Sequence, residues 1–199
     1  MDQYRIQGRA GERIQLRIAD LNPASGPLNV TVFKPGGVSK TGVLEVNGSR
    51  QIEFWVTNTE AGTYLVHVEA RNGLSTGQYR LQMHTLTPAL ATHAPLLHSG
   101  TAQTENIQGP VQSKQFLIDV RPNQRIELTL TKLSGPANFQ PRITLYNSAG
   151  NIVRSTVVGN GTGNISIPTH PTMGSRLLVQ IEDSSLVATG SVRLLDRLS

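Results

Sequence analysis

Apolar and polar side chains alternate along most of this chain with a period of two. Tyr4, Ile6, Ile14, Leu16 and Ile18 alternate with Arg5, Gln7, Arg13, Gln15 and Arg17. Such a period sends one set of side chains inward and the other outward, as in a half-buried β-strand. The same pattern predicts strands over residues 28–33, 51–56, 63–69 and 77–83. It resumes over 115–120, 125–131, 142–146, 152–157, 164–167, 176–182 and 191–195. Turn-forming pairs punctuate these runs: Ala10 with Gly11, Asn47 with Gly48, Ala61 with Gly62, Asn72 with Gly73. Two further turns are expected at 23–26 and 35–37, and a Gly-rich hairpin tip at 159–163. No stretch carries a helical period. Many short strands with polar outer faces predict an all-β chain built as antiparallel β-sandwiches.

The pattern occurs twice. At an offset of 112, Gln3, Tyr4, Ile6, Arg13, Ile14, Leu16, Ile18 and Leu21 face Gln115, Phe116, Ile118, Arg125, Ile126, Leu128, Leu130 and Leu133. At an offset of 113, Val30, Val32, Phe33 and Gly37 face Ile143, Leu145, Tyr146 and Gly150. Tyr64, Val66 and Val68 then face Leu177, Val179 and Ile181, and Gly77, Tyr79, Arg80 and Leu81 face Gly190, Val192, Arg193 and Leu194. Four blocks in one order imply a tandem duplication. The expected division is unit one at 1–84, a linker at 85–97 and unit two at 98–199. The linker has no formal charge and two prolines, which suits a short semi-extended connection. Its Leu86, Leu90, Leu96 and Leu97 are expected to pack between the units. Unit two carries an added segment, 98–114, in which 101–107 reads as an extra strand. Unit one therefore reads either as truncated at that edge or as completed by something else.

Composition narrows the function classes. Apolar residues make up 37% and charged residues 16%, with 19 Gly and 11 Pro, too apolar for a disordered tail and too interrupted for a helix bundle. No apolar run is long enough to span a membrane as a helix. Cysteine is absent, which excludes disulfides, thiol catalysis and cysteine-held metals. The net charge of +5 comes from 14 Arg and 4 Lys against 13 acids, with no consecutive basic run. It reads either as solubility or as affinity for an acidic glycan, a membrane surface or nucleic acid. The opening residues read as a strand, not as a signal peptide, so the chain is either cytosolic or a mature fragment with an added Met.

Each unit reads as an aromatic-led strand, a turn, I-x-L-x-I/L, and a V-x-V/L-x-x-P/S-x-G hairpin. Unit one continues with A-G-T-Y-L-V-H-V at 61–68 and G-Q-Y-R-L at 77–81. These motifs resemble the bacterial pre-peptidase C-terminal domain family, which is similar to the collagen-binding modules of secreted collagenases. A-G-E-R-I-Q-L at 10–16, the 61–64 strand entry and T-G-Q-Y-x-L at 76–81 carry the match. Unit two matches more weakly, with Pro122, Asn123 and residues 173–176 in place of the usual turn residues. The resemblance implies jelly-roll-like sandwiches and an exported, non-catalytic module of a larger bacterial protein, secreted or at the cell surface. Family members that bind calcium cluster carboxylates near the N-terminal edge. Here the acids are scattered, with Glu182 and Asp183 the one adjacent pair, so a calcium site is expected to be lost.

No catalytic residues, cofactor or metal are expected. There is no G-x-S-x-G elbow or phosphate-cradling loop. His84, His93 and His98 fall in or beside the linker, but no carboxylate lies between Glu69 and Glu105 to join them. His67 is expected to point outward and Tyr64 and Tyr79 to pack in the core. Of Phe54 and Trp55, neighbours on one strand, one is core and the other exposed. The candidate ligand-binding residues are Trp55 and the arginines Arg5, Arg13, Arg17 and Arg80. All four arginines lie on outward strand positions and form a basic stripe if their strands are neighbours; Arg125 and Arg193 take the places of Arg13 and Arg80 in unit two. The expected partners are an extracellular polysaccharide, a matrix protein or the parent protein's other domains. Neither specific nucleic-acid binding nor a membrane span is expected. The alternative reading is an assembly subunit of a cell-surface or filamentous polymer, completed by strand addition and capable of self-association.

Overall fold

A computed structural model describes residues 1–71 and 78–199. The Asn72–Gly73 turn and the Thr76–Gly77 lead into the closing strand of unit one lie outside the described residues. The chain is all-β and forms two compact units, residues 1–84 and 85–199.

Unit one contains β1 (Asp2–Gly8), β2 (Arg13–Asp20), β3 (Leu28–Phe33), β4 (Ser39–Val46), β5 (Ser49–Trp55), β6 (Gly62–Ala70) and β7 (Tyr79–Thr85). One sheet has the order β1-β6-β3-β4 and the other β5-β2-β7. Alternation fixes which side chains meet between them. Ile14, Leu16 and Ile18 of β2 pack with Phe54 of β5, Val30 and Val32 of β3, and Tyr64, Val66 and Val68 of β6. Burying each large aliphatic side chain contributes roughly 1.5–3 kcal/mol. The Tyr64 ring lies 5.2 Å from that of Phe54. Gly8 is needed beneath Tyr64, since a Cβ there would sit 2.7 Å from the ring.

Unit two contains β8 (Ala102–Ile107), β9 (Ser113–Asp119), β10 (Arg125–Ser134), β11 (Pro141–Tyr146), β12 (Ile152–Val157), β13 (Thr162–Pro168), β14 (Arg176–Asp183) and β15 (Gly190–Leu198). Its sheets run β12-β11-β14-β9 and β13-β10-β15-β8. Strands β9 to β15 therefore repeat the order of β1 to β7, sheet for sheet. The one addition is β8, paired antiparallel with β15 from Ala102 opposite Leu195 to Ile107 opposite Gly190. The core joins Ile126, Leu128 and Leu130 to Ile143, Leu145, Leu177, Val179, Ile181, Val192 and Leu194.

Three local features differ from the sequence reading. β4 carries no clear alternation, because as an edge strand only its last residue, Val46, is buried. Residues 159–161 do not make a hairpin tip. They carry the chain from β12, in one sheet, to β13, in the other. Residues 85–97 lie against unit two: Leu86 and Ala91 pack with Leu117, Tyr146 and Leu178. Leu97 enters the unit-two core, and its N–H donates to the Leu117 carbonyl at 2.8 Å.

Candidate functional site

The structure does not gather the five residues singled out from sequence. Arg5 is exposed on β1, in the sheet opposite to the one that holds β2 and β7. Alternation tells outward from inward but not which sheet a strand joins, and the stripe required all four arginines on one sheet. Arg17 does point away from the unit-one core, yet its exposure is 0%, so it is not presented to a ligand. Its Nη2 donates to Gln51 Oε1 at 3.2 Å. Arg80 is exposed on β7.

Arg13 and Trp55 do come together. They stand opposite each other on β2 and β5. The guanidinium sits 5.6 Å from the centroid of the indole, a cation–π contact. Glu53 holds it there, accepting from Arg13 Nη2 at 2.5 Å, from Gln15 at 2.8 Å and from Gln51 at 2.6 Å. Arg13 is thus an internally neutralised cation. Trp55 is 39% exposed, while Phe54 enters the core as its alternation requires.

Unit two presents a different surface. The outward face of β13-β10-β15-β8 aligns Glu127 with Arg197 and Ser166, Thr129 with Leu195 and Asn164, and Thr131 with Arg193, Thr162 and Thr104. It carries no aromatic residue and is rich in hydroxyl and amide groups. Arg193 and Arg197 are exposed and four residues apart on β15, so both point outward, about 13 Å apart along the strand. Neither is paired with an acid among the described residues. Arg125, at the start of β10, donates to Ser166 Oγ at 2.9 Å and lies 3.5 Å from Glu127, the face's one strand carboxylate.

The same end of unit two holds an open groove of about 740 Å³, lined by Val120, Arg121, Gln124, Ser148, Arg176 and Leu198 among others. The Arg125 N–H donates to the Ser199 carbonyl at 2.7 Å, which places the arginine-bearing face beside this groove. In it, Arg176 forms a two-pronged pair with Asp119, at 2.6 and 3.1 Å, and this bond holds the Asp119 carboxyl below its ordinary pKa. Exposed Arg121 has no such partner among the described residues. Arg125, Arg197 and Arg193 thus line one face of the sheet as a track, and Arg121 lines the groove beside it. Arg197 was legible as the same-face neighbour of Arg193. Arg121, in the β9–β10 loop, carries no periodic signal.

Glu182 and Asp183 point to opposite sides. Glu182 accepts from Arg142 Nε at 2.7 Å and from Gln180 at 3.0 Å, while Asp183 binds main-chain N–H groups. Among the described residues no group of three or more His, Asp or Glu side chains is placed to hold a metal. No helix among them is long and apolar enough to cross a membrane.

No protein-family model matches the chain, and no curated protein matches it in sequence. Several solved structures are similar in shape. The pre-peptidase C-terminal domain of collagenase from Bacillus anthracis aligns with 52% of this chain and 94% of its own, at 9% identity and a TM-score of 0.40. The tandem CBM22-1–CBM22-2 domains of Xyn10C from Paenibacillus barcinonensis align with 98% of this chain and 82% of their own, at 11% identity and a TM-score of 0.28. The Aeromonas hydrophila PliG, a periplasmic lysozyme inhibitor, aligns with 52% of this chain and 96% of its own, at 8% identity and a TM-score of 0.36. At these scores none of them bears on what this chain binds.

Proposed function

We propose that this chain is a non-catalytic binding module of an exported protein and that it takes an acidic polysaccharide along the arginine track of unit two. The observation that carries the reading is the set of exposed cations Arg121, Arg193 and Arg197, none of them in an ion pair among the described residues, set among threonine, serine and asparagine side chains. Guanidinium groups recognise carboxylate and sulfate in forked geometry, and the intervening hydroxyls and amides suit sugar hydroxyls. The absence of an exposed aromatic on this face disfavours a neutral sugar held by ring stacking. The adjoining open groove extends the surface available to such a polymer. A matrix protein is the rival ligand.

The joint substitution Arg121→Ala, Arg193→Ala and Arg197→Ala is expected to weaken retention on immobilised heparin or alginate about tenfold or more. Binding by the unaltered chain should fall steeply as salt shortens the screening length to about 8 Å at physiological ionic strength. Arg13→Ala with Arg80→Ala in unit one should leave retention within about twofold. Undiminished retention by the triple variant, or binding to collagen with none to either polyanion, would overturn the reading.

A further inference from the structure

The two units differ at one edge. In unit two β8 closes the outer side of β15, whereas β7, the equivalent strand of unit one, ends its sheet. The Leu21 N–H donates to the Gln78 carbonyl at 2.8 Å, so the main-chain groups of Gln78 point toward β2. These groups alternate in direction along a strand. Those of Arg80, Gln82 and His84 therefore also face β2, and those of Tyr79, Leu81 and Met83 face away. Among the described residues no strand pairs with that outer side. Tyr79 and Leu81 pack against the unit-one core, and Met83, on the same face, is 45% exposed. The Tyr79 hydroxyl donates to Asp2 Oδ2 at 2.7 Å and meets the Tyr4 hydroxyl at 2.5 Å, which ties β7 to β1, and at the strand's end the Thr85 carbonyl accepts from Gln115 Nε2 at 3.3 Å.

We propose that β7 is a self-association edge, pairing antiparallel with β7 of a second copy about a two-fold axis at Leu81. The side-chain pattern selects both occupant and register. Centred on Leu81, Tyr79 lies opposite the partner's Met83 and Leu81 opposite the partner's Leu81, so the apolar row of each unit continues into the other. On the outer face Arg80 meets the partner's Gln82, with no like charges opposed. Centring on Arg80 would set two guanidinium groups against each other, at a cost. Centring on Gln82 would put Arg80 against the partner's His84 and Tyr79 against the partner's Thr85. In the Leu81 register the three outward residues exchange about six main-chain hydrogen bonds with the partner. The result is a closed, isologous dimer with one sheet continuous across both copies, and neither β7 remains an edge.

Sedimentation equilibrium of the full chain tests this. A reversible monomer–dimer equilibrium is expected. The Leu81 and Met83 amides should gain hydrogen-exchange protection as concentration rises. Met83→Pro removes an N–H on the outer side only, a position where an edge strand tolerates proline, and should weaken dimerisation about tenfold or more. Met83→Lys should act in the same direction by placing a charge on the edge, and it serves as the test if the proline variant loses its far-UV spectrum. A chain that stays monomeric overturns the proposal, as does a dimer that survives in folded variants. A monomer that instead takes up a synthetic peptide of residues 102–107 would also overturn it, in favour of a foreign donor strand.

Discussion

Replacing Asp196 by asparagine is expected to stabilise unit two by about 3 kcal/mol at pH 7. Asp196 lies on β15, opposite Leu128, on the side of the strand that carries Val192 and Leu194 into the core. It is 1% exposed, and among the described residues neither carboxylate oxygen has a hydrogen-bond partner. Burial alone pushes its pKa from 3.8 up to about 6. The folded state therefore holds a proton that the unfolded chain has already released across that interval. Stability falls as pH rises from about 4 to about 6, and above that the full penalty is present; below the unfolded value it vanishes. The penalty is about two pKa units at 1.36 kcal/mol each. Asp196→Asn keeps the shape and removes the ionisation. Urea unfolding of the full chain at several pH values, read through exchange of the β15 amides, checks this. The unaltered protein should lose stability between pH 4 and 6, and the variant should not show that slope.

Asp183 is a second buried aspartate of unit two, and unlike Asp196 it is held by hydrogen bonds. Its Oδ1 accepts from the Gln140 N–H at 3.0 Å, and its Oδ2 accepts from Val187 and Ala188 at 3.1 and 2.9 Å and from the Ser185 hydroxyl. One carboxylate, 2% exposed, thus organises the β14–β15 loop and ties it to the segment before β11. Alanine would strand three main-chain donors at about 1–3 kcal/mol each, part of which relaxation recovers. Asp183→Ala is accordingly expected to cost about 3–5 kcal/mol, visible as a lower urea midpoint at neutral pH. Asparagine is not a rescue, since its amide nitrogen cannot accept from Val187 and Ala188 together with Gln140 on the other atom.

These two aspartates mark the reach of sequence reasoning. Asp196 was legible in principle: Val192, Leu194, Asp196 and Leu198 hold one strand face, and a lone acid in an apolar row signals a buried charge. Asp183 was visible only as half of an acidic pair, because its partners are main-chain groups of a loop that no pattern predicts. The core strands were readable because one face of each is buried and the other is not, and the duplication was readable because that demand repeats. β4 escaped because an edge strand buries little. Arg17 shows the limit most clearly. Its side of β2 follows from alternation, but the burial of that side has no local signature. The extra strand at 101–107 was anticipated and appears as β8 at Ala102–Ile107. Among the described residues no counterpart of β8 pairs with β7 in unit one.

The proposed binding surface is the outward face of β10 and β15 in unit two, with the adjoining groove. Amide chemical-shift mapping of the full chain, titrated with a short polyuronate, would locate it residue by residue. Shifts are expected to concentrate at Arg121, Arg125, Arg193 and Arg197 and at Thr129 and Thr131 between them, and to reverse on adding salt. Shifts centred on Trp55 and Arg13 in unit one, with β10 and β15 unmoved, would contradict it.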